Sequence, residues 1–272
     1  MSLHRIAARI SAVQALLGRT SVGDNVLDSQ ISALDVDAEG NFVTNQKKPF
    51  ISVYSEGSTV KDSQPQQALR SLLPNGSTVF FFETGIAATM TEVDPETDES
   101  FVVPGMPSTD ASFEFALDMT MRQIGDALVD PENEWAEIFR KLCVSFLDTE
   151  RSRASGDNKG TRMAAHQLKL TVDLKPDPPS GDTLNPKHPL AMFFAKAAEL
   201  DDPVVEAQVA LMQAQLAGTP FSWELDIARY GMTRTEADNL LLVPPAGAED
   251  DIEISEVIPS DATPAVADGG TP

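Results

Sequence analysis

The residues best able to carry chemistry are few. His4, His166 and His188 are the histidines and Cys143 is the one cysteine. None stands at ligand spacing from another His or Cys, so no metal site is expected. His4 opens a predicted helix, His166 falls on a predicted strand and His188 lies between prolines. Each is expected on the surface or as a satisfied core side chain. Cys143, between Leu142 and Val144, reads as a buried, inert thiol in a helix, and a lone cysteine excludes an intrachain disulfide. Gly156 to Thr161 only faintly resembles a phosphate loop. It lacks the Gly-Lys-Ser/Thr ending and reads as a flexible loop. An acidic excursion carries Glu92, Asp94, Glu96, Asp98 and Glu99. Its carboxylates could hold calcium, but the central glycine and closing glutamate of an EF-hand are missing. A solvated loop or a partner-docking loop fits better. Arg151 and Arg153 could meet an acidic partner. The candidate partner-binding residues are therefore these five acids and two arginines. No catalytic residue, cofactor or metal is expected, and the chain does not read as an enzyme.

Charge narrows the possible partners. Forty-two acidic and 20 basic residues in 272 give a formal net charge of -22. Such a chain repels nucleic acid and anionic membrane, although DNA could slide past it without sticking. No run approaches the ~20 apolar residues of a membrane span. The apolar residues of Met1 to Leu17 are spaced rather than continuous, unlike a signal peptide. With 42% hydrophobic residues the chain can bury a core. A protein made in the cytoplasm is expected.

Periodicity supplies the elements that would position these residues. Leu3, Ile6, Ala7, Ile10, Val13, Leu16 and Leu17 recur at helical steps and stop at Gly18. Val26 and Leu27 form a short apolar pair, and 35–48 reads as a loop. Pro49 leads a strand, Phe50 to Tyr54, which suits a strand start or a sheet edge. A short helix is predicted near Gln66 to Leu73. Pro74-Asn75-Gly76-Ser77 predicts a turn before a strong strand at Thr78 to Thr84, continuing toward Met90. Residues 92–110 read as a loop or a hairpin around Phe101 to Val103. Alternation from Ala111 predicts a strand through Leu117, turning helical near residue 118. Asp130-Pro131 predicts the N-cap of a helix bearing Trp135, Ile138, Phe139, Leu142 and Phe146. Residues 148–163 read as a polar loop, and His166 to Leu174 as a clean strand. Beyond the prolines, 190–217 reads as two helices split at Asp202-Pro203. Another helix follows Thr219-Pro220, and Thr233 to Glu236 forms a capping box. From Pro244 onward seven acids and no bases predict a disordered tail.

The fold class is therefore α+β: an N-terminal helix, a mixed or antiparallel sheet with packed helices, a helical extension and an acidic tail. The expected domains are 1–175, 176–243 and 244–272. The stretch Val26-Leu27-Asp28-Ser29-Gln30-Ile31 followed by Pro49-Phe50-Ile51-Ser52-Val53-Tyr54-Ser55, after an amphipathic helix, resembles the tail terminator proteins of long-tailed bacteriophages, the minor tail protein U-like family. The resemblance covers roughly residues 1–175. It implies a structural virion protein, made in the host cytoplasm and resident in the tail or neck. It implies a homo-oligomeric ring, expected to be hexameric, that caps the tail tube protein, stops its polymerisation and joins the head–tail connector. DNA would pass through the lumen without specific binding, and no membrane would be involved. Another neck, connector or tail-tube protein is the alternative, and a calcium-binding accessory domain a remote one. The strand at Pro49 is a candidate for pairing across subunits.

Overall fold

The structure is a computed structural model. It describes residues 2–30, 35–36, 42–43, 48–60, 71–86, 89–93, 100–104, 110–158, 161–218 and 222–244. Helix α1 is Leu3–Leu16, and Ser2 caps it by accepting from the Arg5 N–H. Ala7, Ala8, Ala12 and Ala15 keep one side of α1 small, while Ile10, Val13 and Leu16 enter the core. Gly18 ends the helix with φ +66°, a conformation that glycine adopts without strain. Next come β1 (Val26–Asp28), β2 (Asp35–Val36), β3 (Phe42–Val43) and β4 (Phe50–Thr59). The segment expected as a loop at 35–48 thus carries a small antiparallel bridge between β2 and β3. The turn at Pro74 leads into β5 (Gly76–Ile86). Gly76 is required there: its φ is +57°, and a Cβ would lie 2.6 Å from the Thr59 carbonyl oxygen.

An antiparallel hairpin follows, β6 (Thr89–Val93) with β7 (Ser100–Pro104). Where a strand was expected at 112–117, the chain forms helix α2, Asp110–Val129. Leu117, Met121, Ile124 and Leu128 are buried along it, whereas Phe115 is 68% exposed. The helical stripe has prevailed over a short alternation. Helix α3 is Glu134–Leu142. Its cap is Asn133 rather than Asp130, which instead closes a small turn by accepting from the Glu132 N–H at 2.9 Å. Buried Asn133 also donates to the Ala15 and Ala127 carbonyls, at 2.8 and 3.2 Å. One amide thereby joins the ends of α1 and α2 to the start of α3.

Strand β8 (Cys143–Asn158) runs directly out of α3 and returns as β9 (Thr161–Leu174). This replaces the expected polar loop at 148–163, including the supposed loop at Gly156 to Thr161. It also moves Cys143 and Phe146 from helix to strand. Then come α4 (Pro189–Ala197), α5 (Pro203–Leu216), α6 (Ser222–Tyr230) and α7 (Arg234–Asn239). The Asp202 cap splits α4 from α5, and Thr233 with Glu236 makes the expected capping box.

The main sheet has five strands in the order β1-β4-β5-β9-β8. β1 runs parallel to β4, and the remaining pairs are antiparallel. The fold is thus α+β, with a mixed sheet and an N-terminal helix. β1 pairs with β4 over Ile51–Val53, so the start of the expected edge at Pro49 is already paired; among the described strands β1 and β8 are outermost. Ile51, Val53, Phe80, Phe82, Leu168, Leu170, Val172 and Leu174 share a face and form one core with α1, α2 and α3. Leu190, Phe193 and Ala197 of α4 join that core, as do Val205, Val209 and Met212 of α5. On the opposite face Tyr54 stacks on Phe81 at 5.3 Å. There Glu83 accepts from Tyr54 Oη at 2.5 Å and from Gln167 Nε2 at 2.6 Å. The chain divides into two compact units, Met1–Met232 and Thr233–Pro272. No helix among the described residues is long and apolar enough to cross a membrane.

Candidate functional site

Two places combine unusual geometry with polar or apolar groups that need a partner. The first is the outer edge of β8. No described strand pairs with its far side, so a row of backbone donors and acceptors is open to pairing. Its register against β9 slips between Cys143 and Ser145 and again between Phe146 and Asp148. Val144 and Leu147 are therefore bulge residues, and bulges turn side chains out of the regular pleat. They are 60% and 54% exposed, and Phe146 between them is 46% exposed. Phe146 stacks on Phe139 of α3 at 6.2 Å, so the aromatic core continues outward to this edge.

Past the bulges β8 is regular, and Arg151 and Arg153 point to the helix side beside Leu168 and His166 of β9. Arg153 forms an ion pair with Glu114 of α2. His166 lies between carboxylates, with Nε2 3.3 Å from Glu114 and Nδ1 3.5 Å from Asp118. This cluster fastens α2 to the outer half of the β8–β9 hairpin. Arg151 has no ion-pair partner among the described residues and is exposed. On the other side of the strand, Lys169 donates to Glu150 at 2.8 Å, which raises the Lys169 pKa.

The second place is half-buried. Asp177, between Pro176 and Pro178, reaches the start of α1. It accepts from Ser2 Oγ (2.9 Å), the Leu3 N–H (2.9 Å), the His4 N–H (3.0 Å) and Asn75 Nδ2 (3.2 Å). The His4 ring lies 2.9 Å away through Nδ1. Burial works to raise the Asp177 pKa, but the bonds from His4, Asn75 and Leu3 prevail and hold it below the ordinary value. An ionised carboxylate only accepts, so His4 Nδ1 carries the proton. His4 is fully buried, and its Nε2 has no partner among the described residues. The ring meets His188 edge-on at 5.6 Å. Burial, His4 and Lys175 all lower the His188 pKa. His188 in turn caps α4 by accepting from the Leu190 N–H at 3.2 Å.

A cavity of about 220 Å³ opens beside this hub, lined in part by Arg5, Asn75, Thr78 and Asp177. It falls below the ~300–1,000 Å³ of most small-molecule sites. Arg5 is already occupied by Ser55 Oγ and the Ser55 carbonyl, both at 2.9 Å. With His4 sealed from solvent, this arrangement can fix a proton and cap a helix.

The expected binding residues are thus dispersed. Arg151 and Arg153 share the β8 edge. Glu92 lies on β6 opposite Phe101, while Asp94, Glu96, Asp98 and Glu99 fall outside the described residues, as do 66–70 of the helix predicted near Gln66 to Leu73, whose described residues 71–73 are not helical, and the tail from 245. Among the described residues no group of three His, Cys, Asp or Glu could hold a metal ion. Cys143 is buried, and burial pushes its thiol pKa up to about 12. Glu114, Asp118 and Asp177 were not singled out from sequence. Their partners stand far along the chain, Asp177 being 175 positions from Ser2, and no local motif marks such pairs. The protein is an α+β chain with a five-stranded mixed sheet. No protein-family model matches it, and no curated protein matches it either.

Proposed function

We propose that the protein is a structural subunit of a bacteriophage tail or neck, of the tail-terminator kind. In this role it closes into a ring of about six copies. The ring caps the tail tube, stops tube growth and joins the head connector. The open β8 edge with apolar Val144, Phe146 and Leu147 carries this reading. An edge with exposed apolar residues favours association, and a ring requires each subunit to offer two different complementary faces. The net charge of -22 supports a lumen through which DNA passes without binding. The protein would then reside in the virion after synthesis in the host cytoplasm.

The test is mass by light scattering followed by electron microscopy, alone and with purified tails lacking a terminator. Closed rings, or capping of tube growth on those tails, are expected. A monomer that neither caps nor binds tails would overturn the assignment. Self-polymerisation into open tubes would instead identify a tube protein. Leu147→Glu should leave the melting temperature within about 3 °C of wild type, because surface changes cost little, while abolishing rings or capping.

A further inference from the structure

We propose that residues 251–258 of one copy add to the β8 edge of a neighbouring copy as an antiparallel sixth strand. This rests on the ring assignment above and names what links its subunits. The two segments are complementary in order as well as in kind. Along β8 the exposed apolar residues, Val144, Phe146 and Leu147, come first and the cations Arg151 and Arg153 follow. Residues 251–258 read Asp-Ile-Glu-Ile-Ser-Glu-Val-Ile, with Asp251 and Glu253 toward the start and the apolar pair Val257-Ile258 at the end. Antiparallel pairing therefore brings Asp251 and Glu253 opposite Arg153 and Arg151, on one face of the sheet. The same register carries Val257 and Ile258 to Leu147 and Phe146. Residues directly across a sheet share a face, so both matches are made at once.

Other features favour this occupant. The segment alternates over Asp251 to Ile254, is rich in β-branched residues and contains no proline or glycine. Arg151, the exposed cation without an ion-pair partner among the described residues, gains one. Main-chain bonds to an open edge supply affinity, and alternate side chains supply selectivity. Two contacts oppose the pairing, because Glu256 falls opposite Asp148 and Ile254 opposite Glu150.

The experiment uses the full chain carrying Ile252→Asp and Ile254→Asp, which disables its own segment. A labelled peptide of residues 249–260 is titrated onto it by fluorescence anisotropy, and the masses of this variant and of wild type are compared. Saturable peptide binding and loss of the wild-type oligomer are expected. Arg151→Glu should weaken the peptide about five-fold, as for an exposed ion pair, and a peptide with Glu253→Arg should restore it. Asp148→Lys should tighten binding by a similar factor. A peptide that binds no better than its scrambled version would overturn the proposal, and rings that persist in the variant would do so while leaving the ring assignment standing. Peptide binding to the variant with wild type monomeric, alone and on tails, would also overturn it, since each segment would then cover its own edge.

Discussion

At Asp177 a single carboxylate holds the first turn of α1, the ring of His4 and the amide of Asn75. Replacing it by Asn keeps the shape but removes the charge from a set of charge-assisted bonds. A loss of about 2–3 kcal/mol is expected, measured by urea unfolding. The titration of this hub has a definite sign. Folding lowers the pKa of both Asp177 and His188, so the unfolded chain binds protons more readily in each window. His188 therefore supports the fold fully above its ordinary 6.5, and this support fades as pH falls from there toward its folded pKa. Asp177 adds a second decline below its ordinary 3.8. Melting curves should show wild type losing stability as pH falls below 6.5. His188→Asn, which can still cap α4, should flatten that part of the profile; an unchanged slope would remove His188 as its source. Cys143, with its pKa near 12 and its burial, should resist alkylation at pH 8 until the protein is unfolded.

Among the elements, α2 offers the sharpest comparison. If residues 112–117 were a strand, Phe115 and Leu117 would share a buried face. In the helix Leu117 is fully buried and Phe115 is 68% exposed. Leu117→Ala should cost roughly 2–5 kcal/mol, whereas Phe115→Asp should stay within about 0.5 kcal/mol. Equal losses would contradict the helix. The same contrast explains what could be read from the chain alone. α1, β5, β9 and the α4–α5 break each carry a local signal: an apolar stripe, an alternation or a cap such as Asp202. β8 carries none, because its residues from Val144 to Arg153 are exposed and mostly polar. What makes it a strand is β9, whose alternation is strong enough to order its neighbour. Arg151 and Arg153 were legible as cations, but their place on an open edge depends on that pairing. The hub around Asp177 was invisible for a related reason: proline neighbours suggest a solvated linker, and the groups that bury it lie at residues 2–4 and 75.

For the whole molecule, the sheet is covered where its side chains are apolar and left open where they are mixed. The covered part spans Ile51 to Leu174 and draws on helices from both ends of the chain, since α1 and α5 share one core. Beyond it, β8 meets the helical layer through buried Cys143, the Phe139–Phe146 stack and the ion pair between Arg153 and Glu114. Raising salt should weaken the Arg153–Glu114 attachment only slightly, because exposed pairs contribute little, while the aromatic stack persists. Hydrogen exchange in 0.1 and 1 M salt should therefore show little change in β8 near Phe146. The capping of α1 also ties the fold to the order in which the chain is made. Ser2 and Asp177 lie 175 residues apart. At about 5–20 residues per second, a ribosome needs roughly 9–35 s to travel between them. Throughout that interval the nascent helix has no Asp177 carboxylate at its start, and α1 has no α4 to pack against. A nascent chain stalled before residue 177 should therefore leave the start of α1 more open to proteolysis than one stalled past α4.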